Sequence, residues 1–247
     1  MEKHLALKYK APAEDSAEGW EKYSLPVGNG FGGASVFGGV AKERIQFTTN
    51  EFANNYVRGG VSNFAELYIR TRHHDVQNYE RGLELSTGTV YSRYRTGDKK
   101  VEREAFFSYP NRVFAYKIQV ENGREDFEIQ LVIPYLGARS AEEGGRTGSV
   151  WTEKNRLVMR GALPVRDLQF VGMAAVDSDG EIIANGESLS VKNATRCVVY
   201  YTFGTSYKLC PQVFFKGEHK ALGDDPYAET EQRLRAAEAL GYEQLYA

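Results

Sequence analysis

The sequence predicts an all-β fold, a large antiparallel β-sandwich followed by a C-terminal helix. Apolar and polar side chains alternate along 113–120 and 127–133, the period of strands that bury one face. Residues 168–176 and 197–203 are apolar on both faces, which is typical of strands covered by protein on each side. Short strands separated by regular turns favour a sandwich or a barrel.

The first element in the chain is a glycine-rich stretch. Gly28, Gly30 and Gly33 satisfy the G-x-G-x-x-G spacing of dinucleotide-binding turns. A nucleotide-binding turn opens a helix, whereas residues 34–40 are β-prone and have no helical period. The motif therefore predicts a tight turn between strands, at positions where a larger side chain would not fit.

Two hairpins are predicted in the middle of the chain. Strands at 90–94 and 101–107 flank a Thr-Gly-Asp-Lys turn. The strands at 113–120 and 127–133 flank a polar turn and are expected to pair in the same way. The segment 137–148 has little apolar content and is predicted to be an exposed loop.

The C-terminal segment has a different character. Asp224 and Asp225 precede Pro226, a capping pattern with proline in the first turn of a helix. Residues 230–240 are rich in Ala, Leu, Arg and Glu, which are good helix formers, and Gly241 is placed to end the helix.

These patterns predict a sandwich domain over 1–223 and a helical linker over 224–247. Leu245 and Tyr246 are apolar residues at the end of the chain with no predicted core to cover them. We therefore expect the chain to be a fragment of a longer protein, with the linker leading to a further domain.

Composition narrows the classes of function. The chain has 31 basic and 33 acidic residues with no basic stripe, which argues against a nucleic-acid partner. It has no apolar run of the length of a membrane helix, so no membrane partner is expected. The N-terminus lacks the apolar core of a signal peptide, and both a cytoplasmic and a secreted location are compatible with the sequence.

A series of motifs carries a family resemblance. Residues 25–51 read LPVGNGFGGASVFGGVAKERIQFTTNE. Further motifs follow in the same order: AELYIR from Ala65, NYERGLELSTGTVYSRYR from Asn78, VEREAFFSYPNRVFAYKI from Val101 and FGTSY from Phe203. In these motifs the chain resembles the N-terminal domain of glycoside hydrolase family 95, the family of inverting α-L-fucosidases and some α-L-galactosidases.

The resemblance implies a two-sheet supersandwich of about 14 to 18 strands, followed by an (α/α)6 barrel. An inverting glycosidase needs a carboxylic acid and a base on opposite sides of the scissile bond, and the family places both in the barrel. No residue of this chain is therefore assigned a catalytic role, and neither a cofactor nor a metal is expected. The intact enzyme would hydrolyse terminal α-linked L-fucose or L-galactose. Residues 52–55 depart from the family's acidic-Thr-Leu-Trp run.

Three residues are candidates for the rim of the substrate pocket or the domain interface. Asn50 and Glu51 form a polar pair at the end of a predicted strand, facing the catalytic domain. The alternative is a turn or junction pair without a ligand, because domain junctions also need satisfied polar groups. Trp151 follows the predicted loop at 137–148 and could stack on a sugar ring, with core or interface packing as the alternative.

Two other polar clusters are interpreted as structural. His73, His74 and Asp75 are adjacent, but neighbouring residues of a strand point to opposite faces and would not share a metal. Asp177 and Asp179 resemble the start of a calcium loop whose later ligands are absent, so they predict a hairpin turn.

The sequence leaves three hypotheses of function. The first is an ancillary domain that supports the catalytic barrel and lines part of its pocket, and that is inactive alone. The second is a carbohydrate-binding module that binds glycans by itself, and the third is a structural or interaction domain. The expected partners are the catalytic domain of the same polypeptide and an oligosaccharide substrate. A second copy, bound through an exposed apolar surface, would give a homodimer.

Overall fold

The computed structural model describes residues 5–52, 62–137, 145–211 and 223–247. They form two antiparallel sheets, whose strands are numbered here in chain order. The larger sheet has nine strands, in the order β1 (Ala6–Tyr9), β6 (Val76–Glu84), β7 (Thr89–Thr96), β8 (Lys99–Ser108), β9 (Val113–Glu121), β16 (Arg196–Thr205), β13 (Leu168–Ser178), β12 (Arg156–Leu163) and β11 (Thr147–Glu153).

The smaller sheet has seven strands, in the order β14 (Glu181–Asn185), β15 (Ser188–Ala194), β10 (Glu125–Val132), β5 (Ala65–Arg70), β4 (Lys42–Thr49), β3 (Gly32–Val36) and β2 (Leu25–Gly28). The described residues thus contain 16 strands, which confirms the predicted all-β sandwich. One π-helical turn (Gly19–Tyr23) and one 3-10 turn (Pro164–Arg166) interrupt the strands.

Aromatic rings join the two sheets in the core. Phe47 of the smaller sheet stacks on Tyr201 of the larger sheet, with ring centroids 4.1 Å apart. The edge of Phe47 also meets Phe114, at 5.1 Å between centroids. All three rings are buried. Such pairs add directional contacts to the burial of apolar area, so this cluster holds the sheets face to face.

A single long helix, α1 (Tyr227–Tyr246), covers the outer face of the nine-stranded sheet. Leu234, Ala237 and Tyr242 are buried in a second apolar cluster against Val171 and Tyr200 of that sheet. This packing explains why β13 and β16 are apolar on both faces, because one face meets the other sheet and the other meets the helix. The prediction that these two strands lie between layers is confirmed.

The ends of α1 differ in part from the prediction. Pro226 is the N-cap and has no side-chain cap, so the proline lies one residue earlier than predicted. Asp225 precedes it, and its Oδ1 accepts from the backbone N–H of Tyr227 at 3.1 Å. Gly241 ends the regular helix as predicted, with the non-helical angles φ 74° and ψ 170°, and a further helical turn that was not predicted follows it across this kink. The last turn persists because Tyr242 and Leu245 pack on the sheet, which leaves Leu245 only 5% exposed.

One predicted hairpin is confirmed and the other is wrong. Strands β7 and β8 pair as expected. Strands β9 and β10 lie in different sheets, where β9 pairs with β8 and β16 and β10 pairs with β5 and β15. The connection between them turns a corner of the sandwich, with Asn122 at φ 59°. A short polar turn can either close a hairpin or connect two sheets. Pairing of β9 with β8 and β16, and of β10 with β5 and β15, therefore decides between these two arrangements.

The chain also crosses between sheets at the same end after β5, β13 and β15. Strand β13 belongs to the larger sheet and β14 to the smaller, so the hairpin predicted around Asp177 and Asp179 is also a corner. Asp179 fixes it, because its carboxylate accepts from the backbone N–H groups of Thr195 and Arg196 at 2.9 and 2.8 Å. Of the predicted loop 137–148, residues 138–144 lie outside the described residues.

Within the described ranges, no helix has both the length and the apolar character that crossing a lipid bilayer requires.

Candidate functional site

Asn50 and Glu51, the polar pair predicted from the sequence as site residues, lie at one end of the sandwich. The connections that follow β2, β4, β8 and β16 meet there, and we name it the Glu51 end. Asn29 Nδ2 donates to the carbonyl of Ser108 at 2.9 Å, which links the two sheets. Thr205 Oγ1 donates to Glu51 Oε2 at 2.7 Å and makes a second link.

The glycine motif builds the first of these connections. Asn29 Oδ1 accepts from the backbone N–H groups of Phe31 and Gly32 at 3.0 and 2.9 Å, which closes a tight turn between β2 and β3. Gly30 has φ 82°, a conformation that favours glycine. A Cβ atom at Gly32 would lie 2.4 Å from the Phe203 ring, so a side chain would not fit. The predicted turn between strands is confirmed.

Phe31 holds two arginines beside this turn. Its ring stacks on Phe203 with centroids 5.2 Å apart. The guanidinium group of Arg112 lies 4.6 Å from the Phe31 centroid, and that of Arg233 lies 5.7 Å from it. Arg112 comes from the β8–β9 turn and Arg233 from α1, so the ring brings residues of distant segments together by cation–π contact.

Glu51 is held at the turn that ends β4. Phe52 is fully buried and meets the edges of Phe64 and Phe170, which anchors the turn in the core. Asn50 is left exposed and Glu51 half-buried. Burial raises the pKa of the Glu51 carboxyl, and the Thr205 hydroxyl and the two nearby arginines oppose that shift.

An open polar cleft of about 390 Å³ lies beside Glu51, between the β8–β9 turn and α1. It is lined by Pro110, Asn111, Arg112, Glu229, Arg233 and Ala236. Arg233 donates to the carbonyl of Phe203 at 2.8 Å and to Glu229 at 2.6 Å. Guanidinium, amide and carboxylate groups around an open space can bind hydroxyl or carboxylate groups of a ligand or partner.

A buried arginine organises the neighbouring connection. Arg146 is 1% exposed and donates to the carbonyl of Phe64 at 3.1 Å. Its guanidinium lies 4.5 Å from the Phe52 ring centroid, so it contacts the anchor of the Glu51 turn. The backbone of Arg146 bonds to Tyr135 and to Gly137, which holds the exposed Tyr135 and Leu136 at the Glu51 end. Burial lowers the pKa of Arg146 to about 10.

The third predicted site residue lies elsewhere. Trp151 is on β11, the strand at the edge of the larger sheet and three strands from β16. Its ring packs partly against the cluster under α1, and its Nε1–H donates to Glu153 at 2.7 Å. The structure therefore brings Asn50 and Glu51 together but does not bring Trp151 to them.

The adjacent histidines have separate environments. His73 is 4% exposed, and its Nδ1 lies 2.7 Å from the hydroxyl of Tyr94, whereas the His74 ring is exposed. Tyr94 in turn contacts Arg103, which belongs to a buried network with Glu43. No group of three or more metal-ligating side chains occurs among the described residues.

His73 predicts an acid-sensitive fold. Burial, and then the Arg103 charge, lower its pKa from about 6.5 to about 4, while Glu125 opposes the shift and Lys99 supports it. In the unfolded chain His73 therefore becomes protonated below about pH 6.5, whereas in the folded chain it becomes protonated only below about pH 4. Stability is present above pH 6.5 and is lost as the pH falls. We expect the free energy of unfolding to drop by about 2 kcal/mol between pH 7 and 5 through this residue.

The measurement is urea-induced unfolding at pH 7 and at pH 5, for the wild type and His73→Asn. The asparagine variant is expected to lose less stability than the wild type over this interval. His74→Asn is the control, because His74 is exposed and its removal should leave the pH dependence unchanged. Equal pH dependence in the wild type and His73→Asn would contradict the prediction.

Exposed apolar side chains are concentrated at the Glu51 end. The connections there expose six large ones: Leu5, Leu85, Tyr109, Tyr135, Leu136 and Leu209. At the opposite end, the described turns that follow β3 and the later strands expose no large apolar side chain. The segment between β1 and β2, which lies at the opposite end, exposes Trp20 and Tyr23. A surface with several exposed apolar groups around polar ones is typical of a protein–protein contact.

Sequence reasoning identified one part of this site and missed the rest. Asn50 and Glu51 were found from their place after a strand. Thr205, Arg112 and Arg233 were missed, because residues far apart in the chain meet only after both sheets and α1 have packed. Asn29 carried a usable signal, since asparagine before glycine commonly closes a turn.

Comparisons with known proteins agree on the kind of domain. The profile described as "Glycosyl hydrolase family 65, N-terminal domain" matches residues 7–53 and 48–209. An Aspergillus niger protein described as "Probable alpha-fucosidase A" is 32% identical over 57 residues, which are 23% of this chain and 7% of that protein.

A solved structure described as "Putative kojibiose phosphorylase from human microbiome" shares the fold, with a TM-score of 0.52 and 9% sequence identity. That similarity covers 90% of this chain and 34% of the phosphorylase chain. This chain therefore spans about a third or less of the relatives it matches. Since the profile covers most of its length, the chain belongs to the family of N-terminal domains of glycosyl hydrolase family 65.

Proposed function

We propose that this chain is the ancillary N-terminal domain of an exo-acting glycoside hydrolase and is inactive alone. The catalytic groups would lie in a helical-barrel domain of the same polypeptide. Membership of a family of glycosyl hydrolase N-terminal domains supports this proposal. In it, residues 1–223 form the sandwich and 224–247 the linker to the barrel.

The observation that carries the proposal is the difference between the two ends of the sandwich. Loops on a rigid scaffold commonly carry binding functions. The Glu51 end combines exposed apolar side chains, such as Tyr135 and Leu136, with the polar cleft beside Arg233. A catalytic domain docked there would cover the apolar side chains and place its pocket next to Asn50 and Glu51.

For the substrate, we propose a terminal α-L-fucosyl or related glycosidic bond. Two observations support it: the ordered motifs that resemble glycoside hydrolase family 95, and the short match to the protein described as an alpha-fucosidase. In this proposal the carboxylate of Glu51 accepts hydrogen bonds from sugar hydroxyls at the rim of the pocket, because it is half-buried and lies near Arg112 and Arg233, which line the open cleft.

The first test compares this chain with the full-length product of its gene. Hydrolysis of a panel of α-L-fucosides and α-L-galactosides is expected only with the longer protein. Activity that stays with the chain through repurification would mean that the sandwich holds its own acid and base, which contradicts the proposal. Saturable glycan binding by the inactive chain would instead favour a carbohydrate-binding module.

The second part of the test concerns the rim. In the full-length enzyme, Glu51→Gln and Asn50→Ala are expected to lower kcat/KM by about tenfold or more, the effect of losing a charge-assisted hydrogen bond. Glu128→Gln, on an exposed position of β10, is the matched control and should leave the kinetics unchanged. Unchanged kinetics in the Glu51 and Asn50 variants would remove the rim contact and leave a purely structural role.

A further inference from the structure

We propose that Arg112, at the Glu51 end, forms a salt bridge with a carboxylate side chain of the catalytic domain when that domain docks. This inference rests on the proposed function, and it adds the chemistry of the contact. Tyr109, which is 77% exposed and lies in the same turn, would be covered in the same interface and would help to exclude water.

Arg112 is held in position before any partner binds. It lies in the β8–β9 turn with φ 52°, a left-handed conformation that arginine seldom adopts. Its carbonyl accepts from the hydroxyl of Thr202 at 2.9 Å, which fixes the turn. Its guanidinium lies over the Phe31 ring, and Phe31 in turn stacks on Phe203. Such a preorganised side chain loses little conformational entropy on binding.

The guanidinium donors of Arg112 make no hydrogen bond to any residue that the structure describes. The guanidinium has the ring of Phe31 beneath it. Arg233, across the same cleft, donates to the carbonyl of Phe203 and to Glu229. Of the two arginines that line the cleft, Arg112 is therefore the one with no hydrogen-bond acceptor among the described residues.

The geometry of the Arg112 guanidinium favours an anionic acceptor with two oxygens. Burial lowers the pKa of Arg233, Glu229 opposes that shift and the positive charge of Arg112 adds to it, so the two guanidinium groups repel each other. Glu229 and Glu51 offset this charge, but Glu229 is hydrogen-bonded to Arg233 and one oxygen of Glu51 accepts from Thr205. A carboxylate fits the planar set of donors of arginine in a bidentate way and would supply the hydrogen bonds that neither glutamate makes to Arg112.

The test is limited proteolysis of the full-length gene product between the sandwich and the catalytic domain. The cleavage rate reports how often the domains separate. Arg112→Glu is expected to raise this rate by about tenfold or more, because it places like charges in the interface. Arg72→Glu is the matched control, since Arg72 is exposed in a turn at the opposite end, and should leave the rate unchanged.

Two further measurements distinguish loss of the Arg112 contact from a folding defect and from failure of docking at the Glu51 end. Sodium chloride should raise the wild-type cleavage rate towards that of Arg112→Glu and have little effect on the variant, which a folding defect would not reproduce. Leu136→Glu tests the docking end without touching Arg112. Faster cleavage with Leu136→Glu alone would overturn the role of Arg112 and leave the proposed function standing. Wild-type rates in both variants would overturn docking at the Glu51 end as well.

Discussion

Replacing Glu43 by alanine is expected to lower the free energy of unfolding by about 3–5 kcal/mol, the usual effect of removing one partner of a buried ion pair. Glu43 is fully buried, and Arg103, 1% exposed, lies 3.6 Å from it. The carboxylate also accepts from the backbone N–H of Gly38 at 2.8 Å and from the hydroxyl of Tyr116 at 2.9 Å. The variant would leave a buried guanidinium without its counter-charge.

Urea-induced unfolding measures this loss. Glu128→Ala, on an exposed position of β10, is the control and should change stability by less than about 0.5 kcal/mol. The double variant Glu43→Leu with Arg103→Met should recover part of the loss, because it removes both charges together. The recovery is incomplete because the Gly38 N–H and the Tyr116 hydroxyl are left without their acceptor. A loss below about 1 kcal/mol in Glu43→Ala would show that the pair is not a determinant of the fold.

Replacing Leu234 by aspartate is expected to release α1 from the nine-stranded sheet. Leu234 is fully buried against a cluster that includes Val171, Met173 and Tyr200. An ionised carboxylate without a partner is strongly disfavoured there, so we expect a loss of about 4 kcal/mol or more in stability. Hydrogen exchange of the α1 amides should then approach that of an unprotected peptide.

Ala239→Asp is the matched control, because Ala239 is exposed on the same helix. It should keep α1 protected from exchange and the midpoint of unfolding nearly unchanged. Since α1 also supplies Arg233, Leu234→Asp should disturb the cleft at the Glu51 end, whereas Ala239→Asp should not. Full protection of α1 in Leu234→Asp would mean that the helix is held by contacts other than this apolar face.

Sequence patterns predicted the observed structure well wherever burial of apolar side chains or a backbone constraint acts alone. Alternation along 127–133 predicted a strand with one buried face, and β10 shows it, since burial of apolar area dominates at this scale. In β9 the same pattern held for only part of the strand, because Val113 and Ala115 are also buried, under α1. The apolar residues of β13 and β16 predicted coverage on both sides, and α1 provides the second cover. Gly28, Gly30 and Gly33 predicted a turn, and the positive φ of Gly30 agrees with it, because backbone conformation is a local constraint.

The incorrect predictions share a cause in tertiary packing. Strands β9 and β10 were predicted to pair because a polar turn joins them, yet the same turn can close a hairpin or cross a corner of the sandwich. The turn at Asp177 and Asp179 was likewise predicted to close a hairpin, yet β13 and β14 lie in different sheets. In both cases contacts between distant segments outweighed the local signal.

The sequence by itself determined that this protein is an all-β sandwich with a C-terminal helix, and that Asn50 and Glu51 lie at the end of a strand. These features follow from periodicity and backbone constraints that act over a few residues. Only the tertiary structure decided that Glu51 meets Thr205, and that Arg112 and Arg233 share the ring of Phe31. Those contacts join residues far apart in the chain, and the packing of both sheets and α1 fixes their geometry.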